Sequence, residues 1–179
     1  FEFLTYLREE QKPLDLIEQG KLLHIKGISN AAKDLMNANV AERQAKQARY
    51  LLNQFNVPVQ IDSQYADSSS IGTGITVWAL FSTDNELDFV NPVILAGDAL
   101  GEKNKKAEKV GEEAAEKLIQ EIQSGASVDS YLADQLLPFV ALFGGKIKTS
   151  KITEHCKTNI YTIEKFMDLK FKVENNIIA

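Results

Sequence analysis

The sequence predicts an α+β fold with two parts, and three observations support this. Residues from about 28 to 125 alternate between β-rich segments and two amphipathic helix patterns, in the order β-α-β-β-β-α that is typical of a compact two-layer unit. Residues 126–179 follow with the order α-β-α-β. The run Ser124-Gly125-Ala126-Ser127 separates the two parts, because glycine and small polar residues end helices and mark boundaries.

Composition places the chain among globular proteins and excludes some classes of function. Of its 179 residues, 44% are hydrophobic and 25% are charged, and no apolar run approaches the length that a membrane-spanning helix needs. The formal net charge of −5 argues against a general polyanion binder. The single cysteine, Cys156, excludes an internal disulfide and fits a reducing, cytoplasmic location.

The beginning of the chain is predicted to be extended. Residues 1–12 alternate in the manner of a strand, and Pro13 interrupts them. A second strand is predicted over 22–28, and it contains His24. Its apolar neighbours favour a packed or edge histidine over a metal ligand. The spacing of histidine, cysteine and acidic residues matches no metal-binding motif.

A helix is predicted over 39–55. Asn39 is a suitable N-cap and Glu42 follows three residues later, as in a capping box. The pair Gly72 and Gly74 opens a strand and lacks a third glycine, so it does not form a dinucleotide-binding loop. Three strands are predicted after the helix, rich in β-branched and aromatic residues: 57–61, 74–81 and 90–96.

Three lysines near the start of the next predicted helix, over 106–123, oppose its dipole. The polar turn before this helix contains Lys103, Lys105 and Lys106. Positive side chains at a helix N-terminus favour anion binding, while an ordinary solvated face is the more common outcome. The turn lacks the Gly-Lys-Ser/Thr pattern of a phosphate-binding P-loop.

A further helix is predicted around Asp134, and two of its faces differ in character. A second face, apart from the apolar one, carries Tyr131, Asp134, Gln135 and Pro138. Because Pro138 cannot donate a hydrogen bond to the carbonyl of Asp134, a kink is expected next to this acid. The polar face is either a binding face or, as is more common, simply solvated. Apolar residues at helical spacing predict one buried stripe: Leu132, Leu136, Phe139, Val140 and Phe143.

His155 lies where a strand pattern over 146–152 gives way to a helix predicted over 159–167. A helix start attracts anions, and it disfavours extra positive charge on a nearby imidazole, so His155 should stay nucleophilic. A histidine over a phosphate site can accept a phosphoryl or nucleotidyl group, although a lone histidine at a strand end is more often structural. A thiol nucleophile at Cys156 is less favoured. A catalytic cysteine normally uses a base from elsewhere in the fold, and the one other histidine in the sequence is His24.

Two of these segments, Tyr131-Leu-Ala-Asp134-Gln135-Leu and His155-x-x-Thr158-Asn159, resemble the carboxy-terminal part of the RNA 3′-terminal phosphate cyclase family. Each motif is weak alone, but five in the right order over nearly the whole chain are specific. They strengthen the catalytic hypothesis for His155. Three further stretches agree with the resemblance: 40–44, 97–103 and 110–115.

The resemblance implies a domain arrangement. Members of this family have a large domain of repeated β-α-β-α-β-β units and a smaller domain inserted before the last repeat. On this basis residues 1–27 and 126–179 belong to the last repeat of the large domain, and residues 28–125 form the inserted β-α-β-β-β-α domain. The family also has a long amino-terminal part. We therefore expect a carboxy-terminal fragment that pairs with the missing amino-terminal part or with a second copy of itself.

The resemblance further implies an ATP-dependent cyclase that converts an RNA 3′-phosphate end into a 2′,3′-cyclic phosphate. By motif match, His155 is the nucleophile that becomes covalently linked to AMP. Asp134 is expected to hold Mg²⁺ (or Mn²⁺) or to orient His155. Gln135 is expected to hydrogen-bond to the nucleotide, and Tyr131 to pack on its adenine or ribose.

Asn159 is expected to hold the loop after His155, and Thr158 is a candidate cap for the helix that follows. Two other functions stay open. A sister branch of the family consists of non-catalytic ribosome-biogenesis factors, which do not keep the nucleophilic histidine, so His155 argues against it. A generic α+β binding module would explain the same periodicities without any chemistry.

Overall fold

The computed structural model describes residues 12–82 and 92–179, which form two compact units. One unit, Gln19–Gly125, is called the inserted unit because its sequence interrupts the other. The other, called the motif unit, comprises Ala126–Ala179 and the described residues before Gln19. Nearly all of the strand predicted over 1–12, and the first two residues of the strand predicted over 90–96, lie outside the described residues.

The described elements are eight strands, long in the inserted unit and short in the motif unit, and four α-helices of moderate length. In chain order they are β1 (Leu14–Leu16), β2 (Lys21–Ala32), α1 (Val40–Leu52), β3 (Val59–Ala66), β4 (Thr73–Ser82), β5 (Val93–Leu100), α2 (Ala107–Gln123), α3 (Leu132–Phe143), β6 (Gly145–Lys148), α4 (Glu154–Phe166), β7 (Val173–Glu174) and β8 (Ile177–Ile178). Short 3₁₀ helices flank α1 on both sides. None of the helices in the described part of the chain has the length and apolar composition that crossing a bilayer requires.

The sheet of the inserted unit has the strand order β3-β2-β4-β5. β2 and β3 run parallel, with Ile25 opposite Val59, and α1 forms the crossover that a parallel pair requires. β4 pairs antiparallel with both β2 and β5, so Val77 lies opposite Gly27 on one side and Gly97 on the other. This is the β-α-β-β-β-α order that the sequence predicts.

The core of the inserted unit lies between this sheet and the helices α1 and α2. Along β4, buried residues such as Ile75 and Val77 alternate with residues on the other face, as period-2 patterning requires. The two helices approach closely because Gly111 has no side chain; a Cβ there would lie 2.2 Å from the carbonyl oxygen of Gln44. Fully buried core side chains come from both layers: Ile25, Ala48, Leu52, Val77, Leu95, Ala114 and Leu118.

The structure differs from the sequence prediction at two places in the inserted unit. The boundary predicted between residues 27 and 28 falls inside β2, and the compact unit begins at Gln19, since β2 pairs with β4 from Lys21 onward. The predicted capping box does not form: Asn39 is the N-cap of α1, but its side chain makes no capping hydrogen bond. Glu42 instead accepts a hydrogen bond from the hydroxyl of Tyr65 on β3. A tertiary contact has replaced the local one.

The motif unit combines a small mixed sheet with α3 and α4. Its strand order is β1-β6-β8-β7, in which β1 runs parallel to β6 and the other pairs are antiparallel. The observed elements confirm the predicted α+β class with a small inserted domain. The core of this unit consists of Val128, Ala133, Leu137, Val140, Ile147, Cys156 and Ile178.

α3 buries a different stripe from the predicted one. Its buried residues are Ala133, Leu137 and Val140. Of the predicted stripe, Val140 is buried and Leu136 packs partly buried against the core, whereas Leu132 is 37% exposed and Phe139 is 53% exposed. Apolar residues cover more than one face of this helix, so their spacing allows more than one buried stripe. The residues left on the surface form an exposed apolar stripe: Leu132, Phe139 and Leu142.

The last part of the chain differs from the prediction in two ways. α4 begins at Glu154 rather than at residue 159, so Thr158 does not cap it; its hydroxyl lies inside the helix and donates to the carbonyl of Glu154 at 2.9 Å. The last strand of the α-β-α-β order predicted for residues 126–179 is only the two-residue β7, which pairs with an additional strand, β8. Asn175 and Asn176 connect the two with φ values of 50° and 62°, a left-handed turn that asparagine tolerates.

Candidate functional site

His155 lies in the first turn of α4. The hydroxyl of Thr153 caps this helix by accepting a hydrogen bond from the backbone N–H of Cys156 at 3.1 Å. Cys156 is fully buried in the core, whereas His155 is exposed. Successive side chains of a helix project about 100° apart. Because the thiol of Cys156 points into the core, the imidazole of His155 points away from it. His155 is therefore presented at the end of a helix that attracts anions.

The charges on either side of His155 balance each other. Glu154 and Lys157 form an ion pair of 2.6 Å on the surface of α4. The hydrogen bond from the Lys157 ammonium lowers the pKa of the Glu154 carboxyl below its usual range. An anion that approaches His155 therefore meets little net charge from these two side chains, and the helix N-terminus provides the local attraction.

Asp129 fixes the start of α3. Its carboxylate accepts hydrogen bonds from the backbone N–H groups of Tyr131 and Leu132, at 3.0 and 2.8 Å. The sequence analysis missed this residue, although an aspartate just before an apolar helical pattern is a known N-cap signal. Asp134 follows in the first turn and is half-buried, and Gln135 beside it is exposed. The Tyr131 ring is 65% exposed.

Asn159 joins α4 to α3 through the backbone of Asp134. Pro138 has no N–H, so it cannot donate the usual helical hydrogen bond to the carbonyl of Asp134. The side-chain amide of Asn159 donates to that carbonyl instead, over a long N···O distance of 3.4 Å. α3 continues through Pro138 to Phe143. Asn159 thus lies within α4 rather than in a loop, and its observed contact is with α3.

The remaining predicted site residues are not joined to one another by hydrogen bonds. Among the described residues, the side chains of Tyr131, Asp134, Gln135 and His155 form no hydrogen bond or ion pair. In the same part of the chain, no group of three or more histidine, cysteine, aspartate or glutamate side chains is arranged to hold a metal ion. Asp134 therefore stands as a single carboxylate, and all four side chains are available to a ligand.

Two helices that pack on one core thus carry groups suited to nucleotidyl transfer. An exposed imidazole can attack an electrophilic phosphorus. The ring of Tyr131 offers an apolar surface to a base or sugar, and the Gln135 amide offers both donors and an acceptor. A carboxylate such as Asp134 is a ligand for a hard cation.

The architecture defines a class of protein: a small α+β domain inserted into a second unit that presents a histidine at a helix start. A family model described as the insert domain of RNA 3′-terminal phosphate cyclase matches residues 17–123. This range nearly coincides with the inserted unit, Gln19–Gly125.

Relatives named RNA 3′-terminal phosphate cyclase match most of the chain. The one from Thermococcus gammatolerans is 44% identical over 170 residues, which cover 94% of this chain and 46% of the relative. The one from Pyrococcus furiosus is 40% identical over 168 residues, with the same two coverages of 94% and 46%. The one from Saccharolobus islandicus (strain L.S.2.15 / Lassen #1) is 39% identical over 159 residues, covering 88% of this chain and 44% of the relative.

The chain belongs to the RNA 3′-terminal phosphate cyclase family, as the sequence motifs predict. It spans about half the length of the curated relatives that it matches, at 46% of the first of them.

Proposed function

We propose that this chain is the carboxy-terminal part of an ATP-dependent cyclase that converts an RNA 3′-phosphate into a 2′,3′-cyclic phosphate. Membership of the cyclase family supports the reaction. The observation that carries the mechanism is the exposed His155 at the N-terminus of α4. Because the chain covers 46% of its first relative, we propose that catalysis also uses an amino-terminal part of the protein.

The proposed reaction has three steps. First, a ring nitrogen of His155 attacks the α-phosphorus of ATP; a P–N bond forms, and pyrophosphate leaves with the electron pair of the broken P–O bond. Second, an oxygen of the RNA 3′-phosphate attacks the same phosphorus, and the electron pair of the P–N bond returns to the imidazole. Third, the adjacent ribose 2′-hydroxyl attacks the RNA phosphorus, loses its proton and expels AMP. The sugar holds this hydroxyl close, so proximity supplies much of the last step.

We assign the nucleotide contacts to α3 and to Tyr131, the residue just before it. Tyr131 would pack on the adenine or ribose, and Gln135 would hydrogen-bond to the nucleotide. Asp134 would supply one carboxylate to Mg²⁺ or Mn²⁺, or orient His155. A single carboxylate fits Mg²⁺, which usually keeps several waters and is bound through one or two carboxylates together with substrate phosphates. When bound, the ion would neutralise charge on the triphosphate. Asn159 would fix Asp134 through its carbonyl.

We also propose a partner for the exposed apolar stripe of α3. Leu132, Phe139 and Leu142 are between 37% and 63% exposed, and an apolar surface of this kind usually marks an interface. The amino-terminal part of the same protein would cover it, and in its absence a second copy of the chain would do so. A cytoplasmic location suits a protein whose one cysteine is a buried free thiol.

ATP labelled at the α-phosphate tests the nucleophile. In the full-length protein we expect covalent label on the wild type and none on His155→Ala or His155→Asn, with an unchanged circular dichroism spectrum. His24→Ala is the matched control, since His24 is the other histidine of the chain and lies on β2 of the inserted unit. Label that persists on His155→Ala would refute the assignment. A wild type that takes no label would favour the non-catalytic branch of the family.

A further inference from the structure

The inserted unit carries a cleft that the proposed chemistry does not use. A cavity of about 530 Å³ lies between α1, the strand start at Thr73 and the loop 101–106. A second, shallower depression of about 410 Å³ shares Arg43 with the first and adds Lys46 and Tyr50. The two depressions adjoin at Arg43, and together they are called the basic cleft.

The basic cleft is positively charged within an acidic protein. Its lining includes five cationic side chains and two carboxylates, Glu102 and Glu108, whereas the whole chain has a net charge of −5. Such a local excess attracts polyanions regardless of the overall charge. The cationic side chains are Arg43, Lys46, Lys103, Lys105 and Lys106.

Three of these cations are available to a ligand. Arg43 is held by Glu108, and Lys105 by Glu113. Within the described part of the chain, the ammonium groups of Lys46, Lys103 and Lys106 form no hydrogen bond or salt bridge. All three of these residues are exposed. Their charges are spread along the cleft instead of being neutralised inside the protein.

An ion pair between α1 and α2 orients the Arg43 side chain where the two depressions meet. The Arg43 guanidinium on α1 donates from Nε and Nη2 to the two carboxylate oxygens of Glu108 on α2, at 2.7 and 2.8 Å. Such a two-point contact fixes the orientation of both groups. Arg43, Lys46 and Tyr50 are three and four residues apart and share one face of α1, spanning about 10 Å along it. The Tyr50 ring at the end of this row is 74% exposed.

Spaced cations with an exposed aromatic ring suit a strand of nucleic acid. Lysines neutralise successive phosphates, and an aromatic ring stacks on a base without regard to its identity. A free nucleotide suits the cleft less well, because the lysines are distributed over two depressions and no P-loop pattern gathers them around one phosphate group. The more extended ligand is favoured.

We propose that the basic cleft binds single-stranded RNA, with phosphates at Lys46, Lys103 and Lys106 and a base stacked on Tyr50. The choice of RNA rests on the proposed function, in which an RNA end is the substrate. The cleft would hold part of the strand away from the reacting end, so that binding there lowers the KM for RNA without taking part in the chemistry.

Fluorescence anisotropy with the 179-residue chain tests this proposal. The probe is a labelled single-stranded oligoribonucleotide of about ten nucleotides, which matches the site sizes of other single-strand binders. If three phosphates are contacted, affinity should fall about twentyfold between about 50 and about 200 mM salt; with one contact left, it should fall only about threefold. Lys103→Glu/Lys106→Glu should therefore weaken binding and flatten its salt dependence. Tyr50→Ala should weaken binding about tenfold through lost stacking.

The matched control is Lys26→Glu/Lys172→Glu, which makes the same change of charge at two exposed lysines outside the cleft. We expect this variant to bind within about twofold of the wild type, since it removes no contacted phosphate. Equal losses in both double variants, or no binding by the wild type, would overturn the proposal. Displacement of the RNA by stoichiometric ATP or AMP would overturn it too, because the cleft would then be a site for free nucleotides.

This assay is independent of catalysis. In the full-length protein, Lys103→Glu/Lys106→Glu should leave covalent labelling by ATP alone unchanged and raise the KM for RNA. A wild type without label would refute the proposed function and leave the binding result standing. If the wild type is labelled and the double variant has the same KM for RNA as the wild type, the proposal that the cleft binds RNA is refuted and the proposed function stands.

Discussion

Pro138 and Asn159 should be energetically coupled, because both act on the carbonyl oxygen of Asp134. Pro138 withdraws the helical donor from this oxygen, and the amide of Asn159 replaces it at 3.4 Å. In Asn159→Ala the carbonyl loses its donor. We expect a loss of about 1 kcal/mol in the stability of the motif unit, at the low end of the usual cost, since the bond is long and Asp134 is only half-buried.

Combined with Pro138→Ala, the substitution Asn159→Ala completes a double-mutant cycle, and Pro138→Ala restores the missing donor. In Pro138→Ala the backbone N–H of residue 138 can bond to Asp134, so adding Asn159→Ala should cost only about 0.3 kcal/mol, which leaves a coupling energy of about 0.7 kcal/mol. Pro138→Ala alone should stabilise α3 by about 1 to 2 kcal/mol. This is less than the full helix penalty of proline, because proline also restricts the unfolded chain.

Hydrogen exchange measured on peptides from α3 and α4 provides the assay, since it reports the opening free energy of this unit separately from that of the inserted unit. Asn176→Gly is the matched control, because glycine removes the amide and keeps the left-handed backbone at φ 62° without strain. Asn176 lies in the same unit, and its amide donates to the carbonyl of Ser150 over a similar distance of 3.3 Å. The loss of opening free energy caused by this control substitution should be the same with and without Pro138. If Asn159→Ala also costs the same in both backgrounds, the Asp134 carbonyl is not the shared partner and the reasoning fails.

Three further predictions concern the site, the helix interface and the surface. Asp134→Asn should slow labelling by ATP at least about tenfold, if it removes a metal ligand, and change stability by no more than about 1 kcal/mol; full-rate labelling would leave Asp134 with only a helix-dipole role. The hydrogen bond from Arg43 lowers the pKa of Glu108 from 4.5 to about 2, so its stabilisation is present above pH 4.5 and is lost as the pH falls toward 2. The two side chains are 43% and 44% exposed, so in urea titrations Glu108→Gln should cost about 1 kcal/mol or less at neutral pH and progressively less in acid; a cost independent of pH would contradict this. The 179-residue chain should self-associate at micromolar concentration in sedimentation, and Phe139→Ser should reduce this association; a monomeric wild type would argue against the α3 interface.

The inserted unit was the more predictable half of the molecule. Its helices carry long patterns of period 3.6, so the predicted 39–55 and 106–123 lie close to the observed Val40–Leu52 and Ala107–Gln123. β4 carries an equally clear period of two. The capping box at Asn39 could not be assessed from local sequence, because the competing hydrogen bond to Glu42 comes from a strand more than twenty residues away.

The motif unit was harder because its signals are short or ambiguous. The start of α4 was missed since Thr153 caps it without the acidic partner of a capping box, Cys156 standing at that position. The buried stripe of α3 was misassigned because apolar residues surround much of this helix. The sequence motifs single out His155 and Asp134 as candidate site residues, and their roles stay predictions. The link from Asn159 to α3 depends on the packing of two helices that no local pattern reveals.

That packing bears directly on the proposed chemistry, because each of the two central residues of the proposed site is adjacent to a small, fully buried residue. Ala133 precedes Asp134, Cys156 follows His155, and both buried residues belong to the same core cluster. A larger side chain at either position would have to push α3 or α4 outward, since a packed core does not absorb extra volume without strain. The carboxylate and the imidazole would then move with their helices although neither group had changed. The positions of Asp134 and of His155, the proposed nucleophile, are therefore set by the core of the motif unit. The hydrogen bond from Asn159 to the carbonyl of Asp134, which Pro138 leaves without a helical donor, ties the two helices together on the side of Asp134.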